Sequence, residues 1–313
     1  MKMNRILVTP RSLTSGGHPA LALLTRAGYE VVLSEAGKLP DEATLIQHMA
    51  GCVGWLAGVE PVSEKVIHAA DKLKVISRNG VGVDNLPIDI LRKRDIRVCT
   101  ADGANASGVA ELAIALMFAS LRHIHSTSSG IKQGQWPRLQ GNEFRGQLLG
   151  VIGCGAIGRE VARLACALGC RVMGFDPLQP DLNLPADYFR YATLEEIWQQ
   201  ATMITLHCPP PKDGSALIDA PQLARMLPGT LIVNTARAGL VNEQAIIDAL
   251  DSGKLKAYAT DVFNEEPPQS LALAGHPGVI ATSHIGGFTR ESVDRATEMA
   301  VTNILKVLRE HTL

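Results

Sequence analysis

Three side chains suited to proton transfer and anion binding follow consecutive apolar runs in the second half of the sequence. In order, they are Arg237 after the run 230–233, Glu266 after 257–260 and His284 after 279–282. Each run has the length and composition of a buried strand of a parallel sheet. Neighbouring parallel strands end at one edge of their sheet, where α/β proteins bind ligands. We therefore expect the three side chains to lie at one edge.

An imidazole, a carboxylate and a guanidinium together suit the oxidation of an alcohol beside a carboxylate. A hydride leaves carbon readily only if the attached hydroxyl loses its proton, and His284 would be the base that takes it. Glu266 would orient the imidazole, and Arg237 would bind a substrate carboxylate and polarise the 2-oxygen. In the reverse direction His284 would act as the acid. Singly, each residue also fits an ordinary role as a surface charge or structural group, so the prediction depends on their shared placement.

A cofactor site is predicted by the spacing G-x-G-x-x-G at Gly153, Gly155 and Gly158, between the apolar run 148–152 and a helical pattern through Leu168. The first glycine allows the tight turn, the second lets a pyrophosphate approach, and the third lets helix and strand pack closely. The helix N-terminus, beginning at Ala156 and Ile157, offers free N–H groups to that phosphate. A glycine-rich turn without a cofactor is the alternative.

Asp176 closes the next apolar run, 171–175, where its carboxylate would accept hydrogen bonds from a ribose diol. The following residues, Pro177, Leu178 and Gln179, offer no positive charge for a 2′-phosphate. The pattern therefore favours NAD over NADP.

Short apolar runs alternate with helical patterns before this motif, which predicts a parallel sheet and a complete α/β unit of its own. The predicted strands are 6–8, 29–33, 52–57, 74–77 and 96–100, and the predicted helices are 19–27, 41–49, 63–70 and 85–94. A substrate-facing domain is the simplest purpose for this unit. In the loop after its fourth strand, the backbone of Gly80 and Gly82 would hold a carboxylate and Arg78 a second anionic group. An ordinary strand-to-helix turn with a solvated arginine is the alternative.

The composition excludes several functional classes. A chain of 313 residues with 46% hydrophobic residues and net charge −1 suits two packed domains and does not suit general binding to nucleic acid or an anionic membrane. No apolar run approaches the roughly 20 residues of a membrane span, and the N-terminus shows no secretory pattern. The six cysteines lack C-x-x-C spacing, so they are interpreted as reduced thiols in a cytoplasmic protein without a metal site.

The segment between the two predicted domains begins with an apolar helix over 109–121, which we expect to cross from one domain to the other. From Arg122 to Gln147 the chain is polar, which predicts a loop-like arm. Trp136 in that arm would anchor a subunit interface or cover its own domain's core.

The whole chain, from about residue 5 to residue 310, resembles the D-isomer-specific 2-hydroxyacid dehydrogenase family. The stretches that carry the resemblance are 80–85, 105–111, 153–158 with Asp176, 234–239, 261–267 and 283–286. It implies two doubly wound parallel-sheet domains, a flavodoxin-like substrate domain and a Rossmann NAD domain. The expected boundaries are 1–101 with 288–313 for the substrate domain and 102–287 for the NAD domain. It also implies a homodimer formed through the cofactor domain and its arm.

The resemblance assigns roles to individual positions. The catalytic set is Arg237, Glu266 and His284. The expected cofactor contacts are Gly153, Gly155, Ala156, Ile157, Gly158, Asp176, His207, Cys208, Pro209, Thr235, Ala236, Asp261, His284 and Gly286, and the expected substrate contacts are Arg78, Asn79, Gly80, Val81, Gly82, Arg237 and His284. Two positions depart from the family pattern: Ala238 stands where glycine is frequent, and Asp102 stands where proline is common.

Within the family, Arg78 and the run Phe175-Asp176-Pro177 look most like the phosphoglycerate dehydrogenases, without a regulatory domain after Leu313. This favours D-3-phosphoglycerate or a close analogue as substrate. The alternative within the class is a reductase of glyoxylate or hydroxypyruvate. The alternative outside it is an NAD-sensing binding protein similar to the C-terminal-binding-protein corepressors.

Overall fold

The computed structural model describes residues 3–311. The chain forms two units: residues up to Asn105 together with those from Thr289 onward, and Ala106–Phe288. Each unit is built on one parallel sheet flanked by helices, so the predicted α/β class is confirmed.

The N-terminal part of the first unit contains five strands and five helices. They are β1 (Arg5–Val8), α1 (Arg11–Gly16), α2 (Leu21–Arg26), β2 (Glu30–Leu33), α3 (Glu42–Met49), β3 (Cys52–Ala57), α4 (Glu64–Ala69), β4 (Val75–Arg78), α5 (Ile88–Lys93) and β5 (Arg97–Cys99). The sheet order is β2-β1-β3-β4-β5. The central strand β3 is buried at every position, as expected where helices cover both faces of a parallel sheet.

The second unit carries the predicted cofactor motif. Its elements are α6 (Ala106–Leu121), α7 (Ile124–Lys132), β6 (Leu148–Ile152), α8 (Ala156–Ala167), β7 (Arg171–Phe175), β8 (Phe189–Tyr191), α9 (Leu194–Gln200), β9 (Met203–Leu206), α10 (Ala220–Arg225), β10 (Thr230–Asn234), a 3₁₀ turn (Ala238–Leu240), α11 (Glu243–Asp251), β11 (Leu255–Thr260) and β12 (Val279–Ala281). The sheet order is β12-β11-β10-β9-β6-β7-β8.

This strand order places the predicted chemistry at the carboxyl ends of the strands. The order reverses at β6, which has β7 on one side and β9 on the other, and a doubly wound sheet binds its ligand at such a switch point. Strands β10, β11 and β12 are consecutive neighbours, so the loops that carry Arg237, Glu266 and His284 leave the same edge.

The chain ends with α12 (Arg290–Glu310), which belongs to the first unit. The hydroxyl of Thr289 caps it by accepting the Ser292 N–H at 3.1 Å. The buried side chains of Val301 and Ile304 pack in one cluster with Ile6, so the C-terminal helix completes a core begun by the first strand.

The expectation that Arg122–Gln147 is entirely loop-like is wrong, because Ile124–Lys132 forms α7. Serine and threonine favour helices weakly, yet the hydroxyl of Thr127 donates to the His123 carbonyl at 2.8 Å and remains compatible with the helix. Beyond α7, Phe144 stacks on Phe118 with ring centroids 4.8 Å apart and attaches the arm to α6.

Among residues 3–311, no single helix is long and apolar enough to cross a membrane. Helices α6 and α7 reach the length only together, and they are bent by 66°. The six cysteines are free thiols. In the same residues, no cluster of three or more His, Cys, Asp or Glu side chains has the arrangement of a metal site.

Candidate active site

The three glycines of the G-x-G-x-x-G turn have different surroundings and therefore different roles. Gly153 has φ +90°, and a Cβ there would lie 2.5 Å from the His207 carbonyl oxygen. A Cβ on Gly158 would lie 1.8 Å from the Gly153 oxygen, so both positions must be glycine for the turn to close. Gly155 is different, because a Cβ there meets nothing within 4 Å. The space in front of Gly155 is therefore open to a ligand.

The N-terminus of α8 faces that space without a protein cap. Its N-cap residue, Gly155, has no side chain to bind the first-turn N–H groups, and no acidic residue lies in that turn. Ala156 and Ile157 begin the helix. Free N–H groups and the positive end of the helix dipole together suit a phosphate.

Asp176 lies at the carboxyl end of β7 and supports this turn. Its Oδ2 accepts the Cys154 N–H at 2.9 Å, and its Oδ1 accepts the Leu178 N–H at 2.9 Å. Each oxygen retains a second lone pair for a ligand hydroxyl. Burial, reinforced by the Asp176 charge, raises the pKa of the Cys154 thiol to about 12, so this cysteine remains protonated beside the carboxylate.

The loop after β9 begins with His207 and Cys208 and continues to the exposed Pro209. The His207 Nε2 lies 2.9 Å from the Thr205 hydroxyl. Although the side chain keeps some solvent exposure, desolvation by the protein around it lowers the pKa of His207 to about 3. His207 is therefore a neutral hydrogen-bonding group beside the cofactor turn.

The turn after β10 is shaped by Asn234, which is fully buried. Its Nδ2 donates to the Arg237 carbonyl at 2.9 Å, and its Oδ1 accepts the Ala236 N–H at 3.1 Å. The Arg237 Nη1 donates to the Ala236 carbonyl at 2.8 Å. The Thr235 hydroxyl is buried and has no hydrogen-bond partner among the described residues. Buried hydroxyls normally have a partner, so this group is suited to a hydrogen bond with a ligand.

Asp261, at the end of β11, organises the loop that follows β12. The side chain is 1% exposed. Its Oδ1 accepts from the Thr282 hydroxyl at 2.6 Å and from the Ile285 N–H at 2.8 Å, and its Oδ2 accepts the Gly286 N–H at 2.7 Å. These three bonds bracket His284 on both sides.

His284 itself has φ +54°, a left-handed backbone conformation that residues other than glycine adopt at a cost in free energy. Its Nδ1 lies 2.7 Å from the Glu266 Oε2, and Glu266 in turn accepts the Phe263 N–H at 3.1 Å. The His284 side chain is 53% exposed and that of Glu266 is 38% exposed. The imidazole is therefore held by its Nδ1 while its Nε2 remains available to another molecule.

The expected substrate loop belongs to the other unit, where it follows β4. Arg78 is 5% exposed, and its Nε donates to the Gly82 carbonyl at 2.7 Å. Asn79 accepts from the Thr297 hydroxyl at 3.2 Å, and Gly80 accepts the Ala101 N–H at 2.9 Å. Val81 is 40% exposed. The loop therefore exposes Val81, whereas the Arg78 side chain is buried in its own unit.

The residues present fit a dinucleotide. The uncapped N-terminus of α8, the open space at Gly155 and the unpartnered Thr235 hydroxyl are the features that a pyrophosphate and a nicotinamide carboxamide would satisfy. The model for the NAD-binding domain of D-isomer-specific 2-hydroxyacid dehydrogenases matches residues 114–286. The chain belongs to the D-isomer-specific 2-hydroxyacid dehydrogenase family. The family resemblance and NAD as the cofactor are thereby confirmed, and the family is one of oxidoreductases.

The chain is similar to several individual family members. It is 38% identical over 79% of its length to a hydroxypyruvate reductase of Thermotoga maritima, covering 81% of that protein. It is 39% identical over 79% of its length to a D-3-phosphoglycerate dehydrogenase of Methanocaldococcus jannaschii, covering 48% of that protein. The NAD-bound 3-phosphoglycerate dehydrogenase of Entamoeba histolytica superposes with TM-score 0.83 at 26% identity, covering 99% of this chain and 97% of that one. The chain spans about half the length of the curated phosphoglycerate dehydrogenases it matches.

Sequence reasoning missed the residues that position the site from within. Asn234 and Thr282 were not singled out, and Asp261 was expected only as a cofactor contact, whereas its carboxylate oxygens also bind the loop at 282–286. The only available signal was polarity: an asparagine ends β10, and an aspartate directly follows β11. Of the two departures from the family pattern, Ala238 starts the 3₁₀ turn and Asp102 accepts from the Thr100 hydroxyl at 2.7 Å.

Proposed function

We propose that this chain interconverts a D-2-hydroxy acid and its 2-oxo acid by hydride transfer, with NAD as the partner in the exchange. The observation that carries the proposal is the 2.7 Å contact between His284 Nδ1 and Glu266. It fixes an exposed imidazole at the edge of the sheet that also carries the cofactor turn. A buried structural histidine would not leave its second nitrogen accessible.

Each of the three side chains has one task in this reaction. His284 removes the hydroxyl proton through Nε2 during oxidation and returns it during reduction. Glu266 orients the ring and balances the positive charge that the imidazole acquires. Arg237 binds the substrate carboxylate and polarises the 2-oxygen. Bound NAD supplies the nicotinamide carbon that exchanges the hydride.

We propose that the backbone N–H groups of Val81 and Gly82 also donate hydrogen bonds to the substrate carboxylate, in addition to Arg237. Support comes from the Arg78 Nε, which donates to the Gly82 carbonyl at 2.7 Å and so anchors the loop directly after these two N–H groups. Backbone N–H groups held in this way bind an anion without any movement of a charged side chain.

Two substrate classes follow from the sequence and the relatives. D-3-phosphoglycerate is supported by the similarity to proteins that carry that name. An unphosphorylated acid of the hydroxypyruvate or glyoxylate type is supported by the hydroxypyruvate reductase relative and by the burial of Arg78. A cation at this loop would favour a substrate phosphate only if it were presented to the ligand, and Arg78 is 5% exposed. We favour the unphosphorylated class.

A substrate panel tests the activity. The purified chain is supplied with NADH or NADPH and, in turn, glyoxylate, pyruvate, hydroxypyruvate and phosphohydroxypyruvate, and NADH absorbance is followed. We expect turnover of at least one acid, a product of D configuration by chiral chromatography, and preference for NADH. Binding of NADH without turnover of any acid would contradict the proposal and favour an NAD-sensing protein similar to the corepressors.

We also propose that the chain forms a homodimer through the cofactor-binding unit. In and after α7, the apolar side chains of Ile124, Ile131, Trp136 and Leu139 are each at least 50% exposed. Exposed apolar groups concentrated in one segment are typical of a surface that is covered in an assembly. Sedimentation velocity tests this: a species of one chain at micromolar concentration would exclude it.

A further inference from the structure

Glu60 is a fully buried carboxylate in the first unit that no expectation from the sequence included. It lies three residues beyond the end of β3, and its side chain is 0% exposed. Its Oε1 accepts the Gly58 N–H at 2.9 Å and the Thr9 hydroxyl, while Thr9 accepts the Trp55 indole N–H at 3.0 Å. This network ties the loop after β3 to the ends of two strands.

The other carboxylate oxygen of Glu60 differs from Oε1 in its hydrogen bonding. Oε2 is buried and has no hydrogen-bond partner among the described residues. A buried carboxylate with one oxygen left without partners is costly unless a cation lies near it. The side chain must therefore be balanced by a positive charge in the same region.

Arg78 is placed to supply that charge. It is the last residue of β4, which pairs with β3. Its partner in β3 is Ala57, and Ala57 lies three residues before Glu60 in the sequence. Its Nη1 is also buried and has no hydrogen-bond partner in the described part of the chain. Burial lowers the pKa of Arg78, and the negative charges of Glu60 and Asp84 act in the opposite direction. The Glu60 charge is therefore near enough, across the paired strands β3 and β4, to act on the guanidinium.

The Glu60 charge near Arg78 affects any anionic ligand that binds at the ends of β3 and β4. A phosphate brought to Arg78 would also be brought to the Glu60 carboxylate, and like charges placed together oppose binding. A single carboxylate held by the backbone at Val81 and Gly82 does not require the Arg78 charge. These two effects together would favour a ligand with one anionic group over a ligand with two.

We propose that Glu60 is a specificity-determining residue that neutralises Arg78 and selects 2-oxo acids with one anionic group against those that carry a phosphate. The inference rests on the proposed function, because it concerns the substrate of the same reaction. It assigns to Glu60 a positioning and electrostatic role without contact to the reacting atoms.

The test compares hydroxypyruvate with phosphohydroxypyruvate, which share a carbon skeleton and differ by the phosphate. The quantity measured is the ratio of kcat/KM for the two acids, hydroxypyruvate over phosphohydroxypyruvate. We expect a ratio of about ten or more in the wild type, and a ratio lowered at least about tenfold in Glu60→Gln, which keeps an acceptor oxygen but removes the charge. Glu60→Asp keeps the charge and should retain the preference. The matched control Glu64→Gln removes the same charge at an exposed position of α4 and should leave the ratio unchanged.

An unchanged ratio in folded Glu60→Gln, or a wild type that prefers the phosphorylated acid, would overturn the inference while leaving the proposed dehydrogenase activity intact. Absence of turnover with either acid would instead refute the proposed function and the inference with it. If Glu60→Gln fails to fold, Arg78→Gln decides: the uncompensated Glu60 carboxylate should raise the ratio further, and an equal or lower ratio would overturn the inference.

Discussion

The loop after β12 and the loop after β4 are both held by a buried charged side chain, but they present different groups. In the first, Asp261 binds two backbone N–H groups and the Thr282 hydroxyl, and the His284 side chain remains exposed. In the second, Arg78 donates to the Gly82 carbonyl, and we propose that the backbone N–H groups beside the exposed Val81 bind the ligand. One loop thus presents a titratable side chain, and the other presents peptide groups.

The difference follows from which backbone group the buried charge satisfies. A carboxylate consumes N–H groups, so the loop around His284 loses its capacity to bind anions and keeps its side chains for proton transfer. A guanidinium consumes a carbonyl, so the loop after Arg78 keeps its N–H groups for an anion. A buried negative charge therefore leaves a loop suited to proton transfer, and a buried positive charge leaves a loop suited to binding an anion.

Replacement of the presented side chain should have the largest effect. His284→Asn removes the base but keeps a polar group of similar shape, and we expect kcat for the best acid of the panel to fall about 10²- to 10⁴-fold. NADH binding, measured by fluorescence, should change little. His125→Asn, at an exposed position of α7, is the matched control. A loss of less than tenfold in His284→Asn would show that another group moves the proton.

Replacement of the buried charge that holds this loop should have an intermediate effect. In Asp261→Asn, one oxygen becomes an amide N–H₂ group that faces the backbone donors at Ile285 and Gly286. We expect kcat to fall about 10- to 100-fold with the KM for NADH nearly unchanged, because the loop shifts His284 away from its position. An increase of KM for NADH at constant kcat would instead assign Asp261 to the cofactor, as the sequence resemblance implied. Asp248→Asn, exposed on α11, is the control.

The two loops also show how far sequence reasoning reaches. The glycine spacing, Asp176 and the three residues after consecutive strands were identifiable because their signal is local: a residue type at a strand end. The burial of Arg78 was not identifiable, because it depends on the pairing of β4 with β3, whose residues lie more than 20 positions earlier in the sequence.

The same limit applies to the residues that hold His284. Asp261 and Ile285 are 24 positions apart, and only the pairing of β11 with β12 brings them together. Helix α7 was missed for a different reason: its Ser and Thr content predicts a loop, whereas contacts with α6 outweigh that weak propensity. Local patterns therefore indicated the candidate reactive groups, and tertiary pairing decided which groups are buried to hold them.

The smallest effect is expected where the presented group is backbone. Arg78→Lys keeps the positive charge near Glu60 but replaces the planar Nε–H donor, so the bond to the Gly82 carbonyl weakens. The peptide groups at Val81 and Gly82 should then be less well oriented for a carboxylate. We expect the KM for the 2-oxo acid to rise about 3- to 10-fold, which corresponds to about one hydrogen bond, while kcat changes less than KM.

Arg92→Lys is the matched control for this change, because Arg92 lies at an exposed position of α5 in the same unit and its side chain is 77% exposed. If Arg78→Lys lowered kcat as much as Asp261→Asn, the loop after β4 would take part in the chemical step and the contrast between the two loops would fail. If the KM rose for hydroxypyruvate and stayed constant for NADH, the backbone of this loop would be assigned to the substrate carboxylate. That result would assign part of the carboxylate binding to the loop held by Arg78 and leave proton transfer to the loop held by Asp261.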